Sequence, residues 1–213
     1  MHQAFSHIRV WVFDLDNTLY RPEVRLFDQI QVRMTDYVIK TLGVSRKQAD
    51  FLRDHYWQTY GTTLAGLMAE HRVDPLPYLA DVHDIDFSAL TANPNLARAI
   101  AALPGRRIVF TNGSQPYAAD VLAALGLSDT FDAVYGVEHA GFLPKPDPAA
   151  YQKVFALDGL NPANAAMFED DPRNLAAPHA MGMRTVLVGP QAVNAAHIQY
   201  HTDDLAGFLS QVV

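Results

Sequence analysis

Five short apolar runs recur along the chain, at Ile8–Phe13, Arg107–Thr111, Ala133–Val137, Ala166–Glu169 and Thr185–Val188. Runs of this length, rich in β-branched and aromatic residues and bounded by turn formers, read as buried strands. Between the later ones lie stretches of helical spacing, Pro116–Leu125, Pro148–Leu157 and Pro172–Met181. Strands alternating with amphipathic helices predict an α/β fold, a parallel sheet joined by right-handed crossovers with helices on both faces. In open sheets of this kind, ligand sites form outside the carboxyl ends of the strands. Polar clusters begin at those ends, or in the loops just beyond them.

The segment from Tyr20 to about Leu90 breaks the alternation. Arg21–Thr41, Ser45–Tyr60 and Thr62–His71 have helical spacing with no convincing strand between them. Ile30, Met34, Tyr37, Val38 and Thr41 would line one apolar face, and Phe51, Leu52, His55 and Tyr56 another. The predicted organisation is a core of residues 1–19 and 91–213 with a helical unit, 20–90, inserted after the first strand and returning near Asn93-Pro94. Asp203–Val213 reads as a closing helix, and there is no internal repeat.

The first apolar run ends in Asp14-Leu15-Asp16-Asn17. Residues two apart on a strand share a face, so both carboxylates could serve one site; if the chain bends there, the Asp16 carbonyl could face it instead. Two acids brought together are costly unless a cation joins them, and a hard divalent ion such as Mg2+ suits an all-oxygen cluster. Taken alone, the pair could equally be turn residues. Three further segments weigh against that.

Arg107–Thr111 runs into Asn112-Gly113-Ser114, offering a hydroxyl, backbone N–H groups freed by a tight turn and a helix amino terminus, all anion-binding elements. In Pro144-Lys145-Pro146-Asp147-Pro148, prolines on both sides of Lys145 restrict where its charge can sit, and Asp147-Pro148 is a good helix start. An ammonium held there would neutralise phosphate and quiet the acid cluster. Met167-Phe168-Glu169-Asp170-Asp171-Pro172 is another apolar strand ending in carboxylates. Asp171 fits a helix N-cap, which leaves Asp170 and in part Glu169 without a structural reason.

Composition removes other classes. The 213 residues carry a net charge of -7 and no cysteine, which excludes disulfides, thiolate metal sites and cysteine nucleophiles. The acidic balance argues against binding a nucleic-acid polymer. No stretch approaches a membrane span, and Met1–Arg9 lacks a secretory signal pattern, so a cytoplasmic location is the expectation. His197 and His201 are spaced like one helical turn, a pair lacking a third metal ligand nearby. Oligomeric state is not encoded in any recognisable pattern.

The segments Phe13-Asp14-Leu15-Asp16-Asn17-Thr18-Leu19-Tyr20, Thr111-Asn112-Gly113, Lys145-Pro146 and Glu169-Asp170-Asp171, in this order, resemble the haloacid dehalogenase superfamily of aspartate-nucleophile phosphatases. The resemblance implies a Rossmann-like core, with the insertion as a helical cap. Within the cap, Tyr60-Gly61-Thr62-Thr63-Leu64 and Val82-His83-Asp84-Ile85-Asp86 look like bacterial pyrimidine 5′-nucleotidase-type proteins. One departure stands out: Glu169 takes the place where many relatives have Gly, and Asn174 that of a later acid.

By this resemblance Asp14 would be the nucleophile and Asp16 the general acid and base. Lys145, Thr111 and Asn112 would hold phosphate; Asp14, Asp16 and Asp170 would hold Mg2+, with Asp171 behind them. Tyr20, Tyr60, Thr62 and His83 would face the substrate from the cap, with Phe27, Tyr56 and Trp57 as further aromatic candidates. The implied substrate is a small phosphorylated metabolite, foremost a pyrimidine nucleoside 5′-monophosphate. Other readings stay open: a phosphatase or mutase for phosphoglycolate or a sugar phosphate, a 2-haloacid dehalogenase, or a silent binding protein. A dehalogenase has little use for Asp16, because halide leaves without a proton.

Overall fold

The computed structural model describes all 213 residues. Six strands, β1 (Val10–Phe13), β2 (Arg106–Phe110), β3 (Ala133–Tyr135), β4 (Ala165–Glu169), β5 (Arg184–Val188) and β6 (Tyr200–Thr202), form one sheet in the order β3-β2-β1-β4-β5-β6. Every pairing is parallel. β1 and β4 are buried along their whole length, which is why both read as unbroken apolar runs rather than alternating ones. Successive residues point to opposite faces. Trp11, Phe13, Val109, Ala166 and Phe168 join one apolar cluster, and Val10, Val12, Ile108, Phe110 and Met167 the other. Phe13 and Phe168 stack across neighbouring strands at 4.7 Å.

Register places the site. Phe13 pairs with Val109 on one side and Phe168 on the other, so Asp14, the end of β2 and Glu169 leave the sheet at one level. The Asp14 N–H still donates to the Phe168 carbonyl at 2.9 Å. Strand order reverses direction at β1, the switch point where a crevice opens in such sheets.

Helices Leu26–Leu42, Arg46–Tyr60, Thr63–His71 and Pro75–Val82 follow β1. The last was not legible as a helix: it is short, though Asp74 capping the Leu76 N–H ahead of Pro75 gives it a regular start. Ile30 and Val38 are buried as expected, whereas Thr41, Phe51 and His55 are exposed. The inward stripe of Arg46–Tyr60 runs through Ala49, Leu52 and Tyr56, so Phe51 falls outside it and stacks on His55 in solvent. Helices Arg46–Tyr60 and Thr63–His71 cross closely at Gly66, where a Cβ would overlap the Tyr56 ring. Leu26, Ile30, Val38, Tyr56, Leu64 and Tyr78 belong to the same apolar cluster as Phe13 and Phe168.

The carboxyl-terminal third departs from expectation twice. Tyr200–Thr202 adds a sixth edge strand too short to read from pattern, so His197 and His201 do not share a helical turn. Their Nε2 atoms instead meet the carbonyls of Pro172 (3.0 Å) and Gly189 (2.7 Å). The closing helix is Leu205–Leu209, capped by Asp204. No helix is long and apolar enough to cross a membrane.

Candidate active site

Asp14 emerges from β1 and is 6% exposed. Lys145 reaches it from the Gly141–Asp147 loop, with its side chain only 1% exposed. Its Nζ donates to Asp14 Oδ1 at 2.6 Å, Glu169 Oε2 at 2.6 Å and the Phe110 carbonyl at 3.1 Å, satisfying all three of its protons. The backbone of Lys145 is clamped by the Asn112 side chain, which accepts from the Lys145 N–H (2.8 Å) and donates to its carbonyl (3.1 Å). Asn112 therefore positions the lysine through its side chain, and its backbone N–H and the second proton of its amide remain as donors. Gly61, at φ +87°, brings the end of helix Arg46–Tyr60 against this loop; a Cβ there would touch Pro144 and the Lys145 carbonyl.

The second oxygen of Asp14 accepts from Thr18 Oγ1 at 3.2 Å. Thr111, 1% exposed, accepts the Gly113 N–H at 2.9 Å, so its own hydroxyl proton stays available. Asp16 makes no hydrogen bond to Lys145: its Oδ1 accepts from both Tyr20 OH and Tyr117 OH at 2.6 Å, and its Oδ2 has no partner. Tyr117 in turn stacks on His83 at 4.2 Å, and His83 Nδ1 lies 3.1 Å from Ser114 Oγ. Burial pulls His83 down to about 4, so the imidazole is neutral at physiological pH.

One oxygen from each of Asp14, Glu169 and Asp170 lies within 4.8 Å of the others. Burial, and then the Glu169 charge, push Asp14 up to about 7 and Asp170 up to about 9. Burial also lifts Asp16, against the pull of its two tyrosine hydrogen bonds. Burial alone would lower Lys145, but Asp14 and Glu169 outweigh it and hold the ammonium above its ordinary range. Three carboxylates thus face one ammonium, and a divalent cation would bring that balance to zero. The donors are all oxygen, which fits Mg2+ rather than a softer metal. Glu169 enters this trio in the place the sequence marked only as a departure. The Asp16 carboxylate stands outside it, leaving its backbone carbonyl as the atom it could offer.

Asp171 caps the turn that follows, accepting the Arg173 N–H at 2.9 Å and the Arg173 guanidinium. Burial raises it, but those bonds prevail and hold it below the ordinary carboxylate range. The same guanidinium sits 4.1 Å from the Trp57 ring centre, a cation–π contact between the β4 loop and helix Arg46–Tyr60. Asn174 is buried and lines the site.

A cavity of about 510 Å³ opens above these groups. Asp14, Asp16, Thr111, Asn112, Lys145 and Asp170 line its strand end, while Phe27, Arg53, Trp57, Thr62, Tyr78 and His83 line it from the helices. Tyr60 does not reach it: its hydroxyl donates to Glu70, as does that of buried Tyr56, so both pack within the helical segment. Tyr20 lies behind Asp16 rather than in the wall. Sequence reading missed Thr18, Tyr117, Arg53, Tyr78 and Arg173. Thr18 carried a signal, a hydroxyl one turn beyond Asp14, but Tyr117 and Tyr78 looked like ordinary core aromatics.

Residues 8–182 match the haloacid dehalogenase-like hydrolase family. Phosphate metabolism protein 8 of Saccharomyces cerevisiae is 27% identical over 195 residues, 84% of this chain and 61% of that protein, so the chain spans less than two thirds of this relative. Validoxylamine A 7′-phosphate phosphatase of Streptomyces hygroscopicus subsp. limoneus is 26% identical over 223 residues, covering 96% of this chain and 95% of that one. The crystal structure of 2-haloacid dehalogenase from Pseudomonas syringae pv. tomato superposes with a TM-score of 0.60 at 20% identity, covering 96% and 97% of the two chains. At that identity the likeness is one of fold.

Proposed function

The chain belongs to the haloacid dehalogenase-like hydrolases, and from that premise we propose that it is a Mg2+-dependent phosphomonoester hydrolase, a nucleoside 5′-monophosphatase favouring pyrimidines. The observation that carries this reading is Asp16. Its Oδ1 is pinned by two tyrosines, its Oδ2 has no hydrogen-bond partner, the residue lines the cavity that holds Asp14, and burial favours its protonated form. A departing alkoxide needs that proton and a halide does not. The phosphatase named among the relatives is consistent with it.

In this reading the Asp14 carboxylate attacks phosphorus while the bond to the leaving oxygen breaks. Asp16 gives that oxygen its proton, help worth roughly 10²–10⁴ in rate. The aspartyl-phosphate so formed splits one hard displacement into two easier ones. Asp16, now ionised, takes a proton from the water that attacks phosphorus and returns Asp14 to its carboxylate. Lys145 offsets charge on Asp14 and the phosphoryl group, while the Thr111 hydroxyl and the Asn112 N–H hold the transferring oxygens. Mg2+, held by Asp14, Asp170 and Glu169 with the Asp16 carbonyl, would supply the charge neutralisation that lets a carboxylate approach a phosphate dianion. Residues 20–90 act as a cap that excludes water over the core formed by 1–19 and 91–213.

The test is a panel of UMP, CMP, dTMP, AMP, GMP, phosphoglycolate and sugar phosphates, scored by phosphate release. Pyrimidine nucleotides should give the highest kcat/KM. Equal rates on purines would remove the pyrimidine assignment, and a sugar phosphate or phosphoglycolate ranking first would move the enzyme to that substrate.

Chelation gives a second test, with a pH dependence whose sign is fixed. Asp14 and Asp170 bind protons more tightly in the folded, metal-free protein than at their ordinary 3.8, with values near 7 and 9. Their stabilising effect is therefore complete below about pH 4 and is lost as pH rises through those values. Lys145, whose value is raised, stays charged throughout this window. EDTA should silence turnover and Mg2+ restore it. The rise in Tm on adding Mg2+ should be larger at pH 8 than at pH 5. Full activity after chelation, or a Tm increment independent of pH, would contradict the metal trio.

A further inference from the structure

Two phenols from distant parts of the chain converge on one oxygen of Asp16. Tyr20, four residues further along, and Tyr117, on the helix Gln115–Ala124, each donate to Oδ1 at 2.6 Å. Two donors use both lone pairs of that oxygen, so any proton the carboxyl carries sits on Oδ2. Oδ2 makes no hydrogen bond and keeps some accessible surface, in a residue that lines the cavity beside Asp14. Both tyrosines are buried behind it. Tyr117 is itself held tightly. Its ring stacks on His83 at 4.2 Å with the planes 13° apart, and Phe87 lies tilted against it at 6.0 Å. A Cβ on Gly113 would come within 2.8 Å of Tyr117 Cδ1, so the turn passes the ring only because that side chain is missing. Ser114 Oγ accepts the Tyr117 N–H at 3.4 Å and lies 3.1 Å from His83 Nδ1. His83 and Phe87 follow helix Pro75–Val82, whereas Gly113 and Ser114 follow β2, so the ring is fixed from both.

We infer that Tyr20 and Tyr117 are positioning residues for proton transfer: by occupying Oδ1 they set the rotamer of Asp16 and leave Oδ2 as the oxygen that serves the leaving group. The inference rests on the phosphatase reading above and deepens it. In the first step the Oδ2–H bond breaks as the bond from phosphorus to the leaving oxygen breaks. The proton passes to that oxygen, and Asp16 is left as a carboxylate. Both phenols remain donors to Oδ1, so the same clamp holds the side chain when Oδ2 later takes a proton from the attacking water. Placement matters here because a misplacement of about 1 Å can cost on the order of 10² in rate. His83 thereby has a task other than meeting the substrate: its ring backs Tyr117.

The experiment compares kcat/KM for two esters with the Mg2+-loaded enzyme. One is 4-nitrophenyl phosphate, whose leaving group departs without a proton; the other is the fastest alkyl phosphate of the substrate panel, whose alkoxide needs one. Tyr117→Phe and Tyr20→Phe should each lose about tenfold or more on the alkyl ester relative to the aryl ester, part of the full worth of a general acid. Phenylalanine keeps the ring and its stacking, and a purely structural fault would slow both esters alike. In an Asp16→Asn background, Tyr117→Phe should leave the alkyl-to-aryl ratio where Asp16→Asn alone puts it, because no proton remains to be placed. A crystal structure of the Tyr20→Phe, Tyr117→Phe double variant should show the Asp16 side chain in another rotamer. Either tyrosine variant carries the kinetic test if the other folds poorly. Equal losses on both esters, no loss, a further fall of the ratio in the Asp16→Asn background, or an unmoved Asp16 would overturn the positioning role and leave the phosphatase reading standing. A wild type that hydrolyses neither ester, or the aryl ester alone, would defeat the phosphatase reading and this inference with it.

Discussion

Replacing Asp14 with Asn should lower turnover of phenyl phosphate by about 10³-fold or more, the scale seen when an enzyme loses its nucleophile. The amide is nearly isosteric and keeps an oxygen for Lys145 and a polar atom near Thr18, but it cannot attack phosphorus. The fold should survive because Lys145 keeps Glu169 as its partner at 2.6 Å. Burial and the Glu169 charge already disfavour the ionised form of Asp14, so a neutral side chain relieves repulsion in the metal-free protein. Thermal unfolding in EDTA should show a Tm equal to or above that of wild type. Residual activity above a few per cent, with no reversion of Asn to Asp by mass spectrometry, would remove Asp14 from the nucleophile's role.

How much of this was written in the sequence depends on the range of each interaction. The parallel sheet was legible because β1, β2, β4 and β5 are runs whose burial comes from their own composition. β6 was not, because three half-buried residues carry no pattern of their own and pair only once β5 supplies an edge. Asp14, Asp16, Thr111, Lys145 and Asp170 were legible because they interrupt apolar strands or stand in rigid frames. The partners that give them their properties come from elsewhere in the chain. Tyr117 reaches Asp16 across 101 residues and Lys145 reaches Asp14 across 131. Glu169 looked like an irregularity until the register set it beside Asp14 and Lys145. In the helical segment the sequence singled out Tyr60 and passed over Tyr78, because nothing local tells which way an aromatic ring will face. Only the packing sends one to Glu70 and the other to the cavity wall.

Lys145→Met should produce the largest loss of stability of any single change at the site. The ammonium is almost fully buried and is the cation shared by Asp14 and Glu169, with Asp170 close by. Removing one partner of a buried ion pair leaves the other charge uncompensated, at a cost of about 3–5 kcal/mol. For a chain of this size that corresponds to a Tm lower by roughly 6–20 °C. Activity should fall with it, since Asp14 without the ammonium beside it is driven further toward its protonated, non-nucleophilic form. Loss of packing volume would also destabilise, so the diagnostic measurement is the double variant Lys145→Met with Glu169→Gln. If uncompensated charge is the cause, neutralising Glu169 should recover a large part of the lost stability in urea unfolding with EDTA present. The same logic makes Mg2+ stabilise Lys145→Met more than it stabilises wild type. A double variant no more stable than Lys145→Met would mean that the lysine serves the fold through its packing, and that the charge balance drawn around Asp14, Glu169 and Asp170 is wrong.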